Sequence, residues 1–226
     1  MMRDERFEQL GGGVEVCVSK AHTFGSDAIL LSNFAKPKSY DRCIDLCSGC
    51  GIVPLLWDHP LPVTAVDIQP DAIGQMKLSK PEGRIIPVLA DLREPSALGH
   101  AAFDLVTCNP PYRAVGTGII SGRHSDRLAR HETTCTLEDV CRAAAYLLRS
   151  GGRFCLCHLP ERLADLLVLM RQYALEPKRV QFVQQRTDSA PWLVLAEGKR
   201  GAKPFLTVEA PVIMENQNTR FNAGQI

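Results

Sequence analysis

The stretch Cys43-Ile44-Asp45-Leu46-Cys47-Ser48-Gly49-Cys50-Gly51 decides the fold. It starts as a short apolar strand over residues 43–47 and ends in a turn with two glycines, after which residues 52–57 read as a helix. The same alternation continues downstream. Strands are expected at 63–68, 84–89, 103–108 and 153–159, and helices at 71–78, 137–148 (stopped by Gly151-Gly152) and 161–172. Residues 180–185 and 192–196 read as a closing strand pair. Continuous apolar strands alternating with helices predict an α/β fold. The expected form is a doubly wound, mostly parallel seven-stranded sheet, covered on both faces and closed by an antiparallel pair.

Upstream, residues 7–10 and 14–18 flank Gly11-Gly12-Gly13 as a hairpin. Ser26 occupies the position of a helix N-cap, Asp27 falls in the first turn and Pro37 stops the run. The expected organisation is an N-terminal hairpin and short helix packed on the core (1–42), an α/β domain (43–210) and a polar tail (211–226). With 45% hydrophobic and 23% charged residues the composition is that of a folded globular chain, and a net charge of +1 excludes strong global steering toward nucleic acid. No apolar run reaches the ~18 residues of a membrane span, and the charged start Met1-Met2-Arg3-Asp4-Glu5-Arg6 lacks a signal-like apolar segment. A cytoplasmic protein is expected.

Nine cysteines, an odd number without an export signal, argue against a disulfide scaffold. Cys47 and Cys50 form a CxxC inside the glycine turn. A second pair at zinc spacing is missing, since Cys155-Leu156-Cys157 is too close, and His124 and His131 have no ligand spacing with the cysteines. Buried thiols and no metal are expected.

In such sheets ligands bind beyond the carboxyl ends of the strands. Asp45, Gly49, Gly51, Asp67, Asp91 and Asn109 all fall at or just after successive strand ends. Asp67 follows Asp45 by 22 positions, where a carboxylate can accept from two ribose hydroxyls. A dinucleotide would require a third glycine for its pyrophosphate, and Gly49-Cys50-Gly51-Ile52-Val53-Pro54 lacks it. A cationic ligand with ribose and no phosphate suits this acidic edge better. S-adenosylmethionine is such a ligand.

Asn109-Pro110-Pro111-Tyr112 suits methylation of a planar, conjugated nitrogen, whose delocalised lone pair makes it a poor nucleophile. Two acceptors on its N–H bonds, the Asn109 side-chain oxygen and the Pro110 carbonyl, favour a pyramidal nitrogen. Asn109 and Pro110 each precede a proline, which biases them to extended backbone. Tyr112 offers a stacking face, worth ~1–3 kcal/mol for a base. Because this role uses only acceptance, Asn109→Asp is expected to keep more activity than Asn109→Ala.

With these motifs the chain resembles class I S-adenosylmethionine-dependent methyltransferases (Rossmann-like) over roughly residues 20–200. Asn109 to Tyr112 resemble the motif of N6-adenine and N5-glutamine methyltransferases. Thr23-Phe24-Gly25-Ser26-Asp27-Ala28-Ile29-Leu30-Leu31, Ala129-Arg130-His131-Glu132 and Pro160-Glu161-Arg162-Leu163 narrow the resemblance to the bacterial tRNA(Val) adenine-N6-methyltransferase family, which modifies an adenosine beside the anticodon. The resemblance implies that Phe24 and Asp27 help close over the methionine end of the cofactor, and that Asp45, Cys47, Gly49 and Gly51 line its pocket. It implies that Asp67 and Asp91, with Ile68 and Leu92 beside them, hold ribose and adenine, and that Asn109 to Tyr112 hold the target base. Cys47 stands where the family usually has glycine or another small residue. Gly74 and Pro81 predict a ragged helix after Asp71.

Protein glutamine methyltransferases of this class carry a helical domain before the sheet, for which the 42 residues preceding the first strand are too few. A DNA adenine methyltransferase requires an added base-reading element. A non-catalytic RNA scaffold would not need the intact Asn109–Tyr112 motif. The expected partner is a tRNA. Basic residues lie in 113–131 (Arg113, Arg123, Arg127, Arg130) and 171–203, with Lys199-Arg200 as the best cluster for phosphate contacts. The loop after the fourth strand and the last hairpin are expected to flank Asn109.

Overall fold

The computed structural model describes residues 4–110 and 135–216. The chain opens with an antiparallel hairpin, β1 (Arg6–Gly11) and β2 (Val14–Val18), then α1 (Ser26–Ala35). The N-cap is Gly25 rather than Ser26. Gly25 is extended and makes no side-chain cap, and Ser26 is the first helical residue. At the other end Lys36 turns left-handed (φ 40°) ahead of Pro37.

The α/β alternation follows: β3 (Cys43–Leu46), α2 (Ile52–Leu55), β4 (Val63–Asp67), α3 (Pro70–Leu78), β5 (Ile85–Leu89), β6 (Phe103–Cys108), α4 (Leu137–Leu147), β7 (Leu148–His158), α5 (Leu163–Gln172), β8 (Leu175–Gln184) and β9 (Pro191–Arg200). The strands lie in the order β8-β9-β7-β6-β3-β4-β5. From β7 to β5 all pairings are parallel, whereas β9 runs antiparallel to both β7 and β8. Two further two-residue strands, β10 (Thr207–Val208) and β11 (Val212–Ile213), pair in parallel with β8. The expected seven strands are thus present with two short additions at one edge. The described residues after position 210 extend the sheet rather than forming only a polar tail.

Alternate strand residues feed two cores. Cys43, Leu105, Cys155, Cys157, Leu193 and Leu195 pack with α1, α2, α3 and the N-terminal hairpin. Ile44, Leu46, Val106, Cys108, Phe154 and Leu156 pack with α4 and α5. Gly74 does not disrupt α3, because it sits on the exposed face while Ala72, Ile73 and Met76 are buried. Gly151 and Gly152 do not stop a helix. They form an irregularity inside β7, where Phe103 pairs with Leu148 but Leu105 already pairs with Arg153. The C-terminal carbonyls of α1 are satisfied from the sheet: Arg153 donates to Ala35 O at 2.8 Å and Arg179 to Phe34 O at 2.9 Å, and Glu197 accepts from both arginines. Among the described residues no helix is long and apolar enough to cross a membrane.

Gly51 is left-handed (φ 82°), and a Cβ there would lie 2.9 Å from Ile85 Cδ1 and 3.0 Å from Met76 Cγ. Gly51→Ala is therefore expected to lower stability by about 2 kcal/mol in urea unfolding. Gly74→Ala, where the space is open, is expected to be neutral or to stabilise by up to about 1 kcal/mol.

Candidate active site

Because β3, β4, β5 and β6 are parallel, their carboxyl ends share one edge. A cavity of about 270 Å³ opens there, bounded by the glycine turn, the segments after β4, β5 and β6, and the approach to α1. Of the expected cofactor residues, Phe24, Asp27, Asp45, Cys47, Gly49, Asp67, Ile68, Asp91, Leu92 and Asn109 all border it, as does Pro110. Gly51 does not, since it faces Ile85 and Met76 instead.

Asp45 is almost fully buried on the central strand. Its carboxylate accepts from Ser48 Oγ at 2.5 Å and Thr107 Oγ1 at 2.6 Å, which ties the glycine turn to β6. Burial pushes its pKa up to about 7, against the opposing pull of the two hydroxyls. Asp67 uses both oxygens on backbone donors, taking Gly49 N at 2.8 Å and Gln69 N at 3.0 Å. Gly49 is left-handed (φ 56°) with nothing within 4 Å of where a Cβ would stand, so the turn is bare backbone toward the cavity. Asp91 is engaged by Arg93 through Nε and Nη2, and that pairing holds its carboxyl below the usual range.

Asn109 follows β6 two residues beyond Thr107. Its Nδ2 donates to Asp27 Oδ2 at 3.1 Å, and its Oδ1 accepts from Cys157 Sγ at 3.1 Å. Both ends of the amide are therefore used. This removes the basis for expecting Asn109→Asp to outperform Asn109→Ala, because an aspartate would set a second carboxylate against Asp27.

The cavity also includes residues that the sequence did not single out: His22, Gln69 and Cys135. Ser48 and Thr107 were missed as partners of Asp45. The available signal was Thr107 as a polar residue on the same face of β6 as Leu105, but its pairing with Asp45 on the neighbouring strand is set by the sheet register. Pro111, Tyr112, Arg113 and Arg130 lie outside the described residues. Lys199 and Arg200 are not brought to the site. β9 runs antiparallel to β7, so Lys199 pairs with Arg153, level with Leu105 of β6 and the Cys43 start of β3, while Val194 pairs with His158 at the Asn109 edge. Arg200 donates to the Leu148 carbonyl. The β8–β9 turn does reach the site edge, and it carries Arg186 beside Asp188.

None of the nine cysteines is in a disulfide. Burial pushes Cys43 and Cys50 up to about 12 and Cys108 to about 11. A shared hydrogen bond with Cys108, together with burial, holds Cys47 well above the usual thiol range. Such thiols are poor nucleophiles. Among the described residues no group of side chains has metal-ligand geometry.

Asp45 generates a pH signature. Between about pH 4 and 7 the folded chain holds a proton on Asp45 that the unfolded chain has released. This contribution is complete below pH ~4 and is lost as the pH rises through 7. In urea unfolding at pH 5 and pH 8, Asp45→Asn should abolish about 1–3 kcal/mol of the wild-type decline. Equal declines in the two proteins would show that Asp45 ionises normally.

No family model matches the chain. Curated relatives do. The chain is 27% identical over 187 residues to the tRNA1(Val) (adenine(37)-N6)-methyltransferase of Porphyromonas gingivalis, covering 76% of this chain and 72% of that protein. It is 27% identical over 230 residues to the protein of the same name from Pectobacterium carotovorum, covering 96% and 88%. Among solved structures it resembles a predicted O-methyltransferase from Agrobacterium tumefaciens (TM-score 0.64, 21% identity, 84% of this chain and 88% of that one). It also resembles the T. thermophilus 16S rRNA N2 G1207 methyltransferase, solved with AdoMet and guanosine (TM-score 0.58, 19% identity, 90% and 47%). The chain has the class I methyltransferase fold, and over most of its length it is a homologue of proteins named tRNA1(Val) (adenine(37)-N6)-methyltransferases.

Proposed function

We propose that this chain transfers a methyl group from S-adenosylmethionine to the exocyclic N6 of an adenosine in tRNA, at the anticodon-flanking position named for its relatives. The observation that carries this reading is that Asn109 and Pro110 border the same cavity as Gly49 and Asp67. A methyl acceptor and its donor would share one space.

The lining chemistry fits the cofactor. Asp27, Asp67 and Asp91 border the cavity together with Asp45, whose pKa is raised to about 7, and no lysine or arginine does among the described residues. That set favours a cation bearing hydroxyls and disfavours a pyrophosphate. Asp67 would hold the ribose hydroxyls, Asp91 the adenine amino group with Ile68 and Leu92 beside the ring, and Asp45, Gly49 and Phe24 the methionine end. Bound there, S-adenosylmethionine supplies an electrophilic methyl group. Asn109 Oδ1 and the Pro110 carbonyl accept from the target amine, which localises the nitrogen lone pair. Proposed contacts to the base and RNA come from Pro111, Tyr112, Arg113 and Arg130, with Arg186 at the neighbouring hairpin. Lys199 and Arg200, at the far end of the sheet, have no part in this reading.

Asp67→Ala is expected to weaken S-adenosylmethionine binding at least tenfold, about 1.4 kcal/mol, because it removes ribose acceptors and releases the Gly49 and Gln69 amides. Calorimetry decides this, and unchanged affinity would take Asp67 out of the site. Purified protein should transfer labelled methyl to tRNA(Val) at adenine 37, located by mapping the modified base. Asn109→Ala should lower single-turnover transfer by at least about 100-fold and leave cofactor affinity within about threefold, as for other interactions strongest in the transition state. Transfer to protein alone, or wild-type rates in Asn109→Ala, would overturn the reading.

A further inference from the structure

We propose that Asp27 is a positioning residue that fixes which end of the Asn109 amide is offered as the acceptor; this rests on the reading of Asn109 given above. A side-chain amide has two nearly isosteric ends, and only the oxygen can accept from an amine. Asp27 breaks the symmetry. The Asp27 Oδ2 atom is an acceptor, and at 3.1 Å it takes the Nδ2 end of Asn109. The oxygen end then meets Cys157, whose thiol can donate to it at 3.1 Å. Oδ1 carries two lone pairs, so an amide oxygen can accept from a thiol and from an amine at once. A flipped amide would set Oδ1 against the carboxylate.

The arrangement links distant parts of the chain. Asp27 lies in the first turn of α1, Asn109 just past β6 and Cys157 on β7. Gly25 leaves the space it needs: a Cβ at Gly25 would fall 2.6 Å from Asp27 Oδ1, although its backbone is open to any residue. Gly25→Ala would therefore displace the carboxylate without changing its chemistry. A first-turn acid also favours the helix dipole, but that role does not involve Asn109.

The experiment measures single-turnover methyl transfer to tRNA, S-adenosylmethionine affinity by calorimetry, and the side-chain NH2 resonances of Asn109 in the cofactor-free chain. At saturating S-adenosylmethionine, Asp27→Asn should lower the transfer rate about tenfold or more, the scale of a misoriented reacting group, whatever the change in cofactor Kd. The same change in an Asn109→Ala background should alter the rate less than twofold. The swap Asp27→Asn with Asn109→Asp, which restores one donor facing one acceptor, should exceed either single variant at least threefold. Asp27→Asn and Gly25→Ala should each move the Asn109 NH2 resonances. The proposal is overturned by a wild-type rate in Asp27→Asn at saturating cofactor, including a rate that added cofactor restores, or by an equal loss with and without Asn109. If the wild-type chain methylates no tRNA, the functional reading fails. The resonances then decide the Asp27–Asn109 coupling, and unmoved resonances refute it.

Discussion

The Ser48 and Thr107 hydroxyls close on one buried carboxylate, that of Asp45, in the middle of the sheet. An isolated carboxylate there would be costly. Two hydroxyl donors compensate it in part, and each belongs to a different functional segment. Ser48 stands in the glycine turn, and Thr107 stands two residues before Asn109. The distance between the turn and the Asn109 edge is therefore set by a single acidic group, and its proton is retained to about pH 7.

Around that centre the site is built mostly from backbone. Asp67 spends both oxygens on amides of Gly49 and Gln69, so the carboxylate at the end of β4 also shapes the turn that follows β3. Gly49 contributes bare main chain, whereas Gly51, two residues on, is needed for packing against Ile85 and Met76. Cys47 carries φ 54° without being glycine, which explains why a small residue suits that position: the left-handed region penalises larger side chains. Cys47 packs with the core of α4 and α5, so its side chain has a place even though its backbone is unfavourable.

The start of α1 and the segment before it are part of the site as well as of the core. Leu31 and Phe34 are buried in the core cluster, and that packing brings Phe24 and Asp27 over the cavity. Arg153 and Arg179, joined through Glu197, hold the far end of α1 by its carbonyls. A helix anchored at its C-terminal end can present its first turn to Asn109 with little freedom.

Sequence alone determined the alternation of strands and helices, the parallel sheet, and the cluster of Asp45, Gly49, Asp67, Asp91 and Asn109 at one edge. These follow from local patterning and from a topological rule: strands running the same way must end on the same side. The hairpin and the motif after β6 were legible for the same reason. What the sequence left open depended on pairing between distant strands. Lys199-Arg200 looked close to the site because the last hairpin is close. The antiparallel register of β9 put its basic end at the opposite edge and its Pro191 end near Asn109. Ser26 read as a cap, but the close approach of Asp27 favours glycine at the position before it. The contacts of Asp45 with Thr107 and of Asn109 with Asp27 and Cys157 span 48 to 82 residues. No local period encodes such pairs. Only the packing of α1 and β7 against β3 and β6 decided which side chain met which.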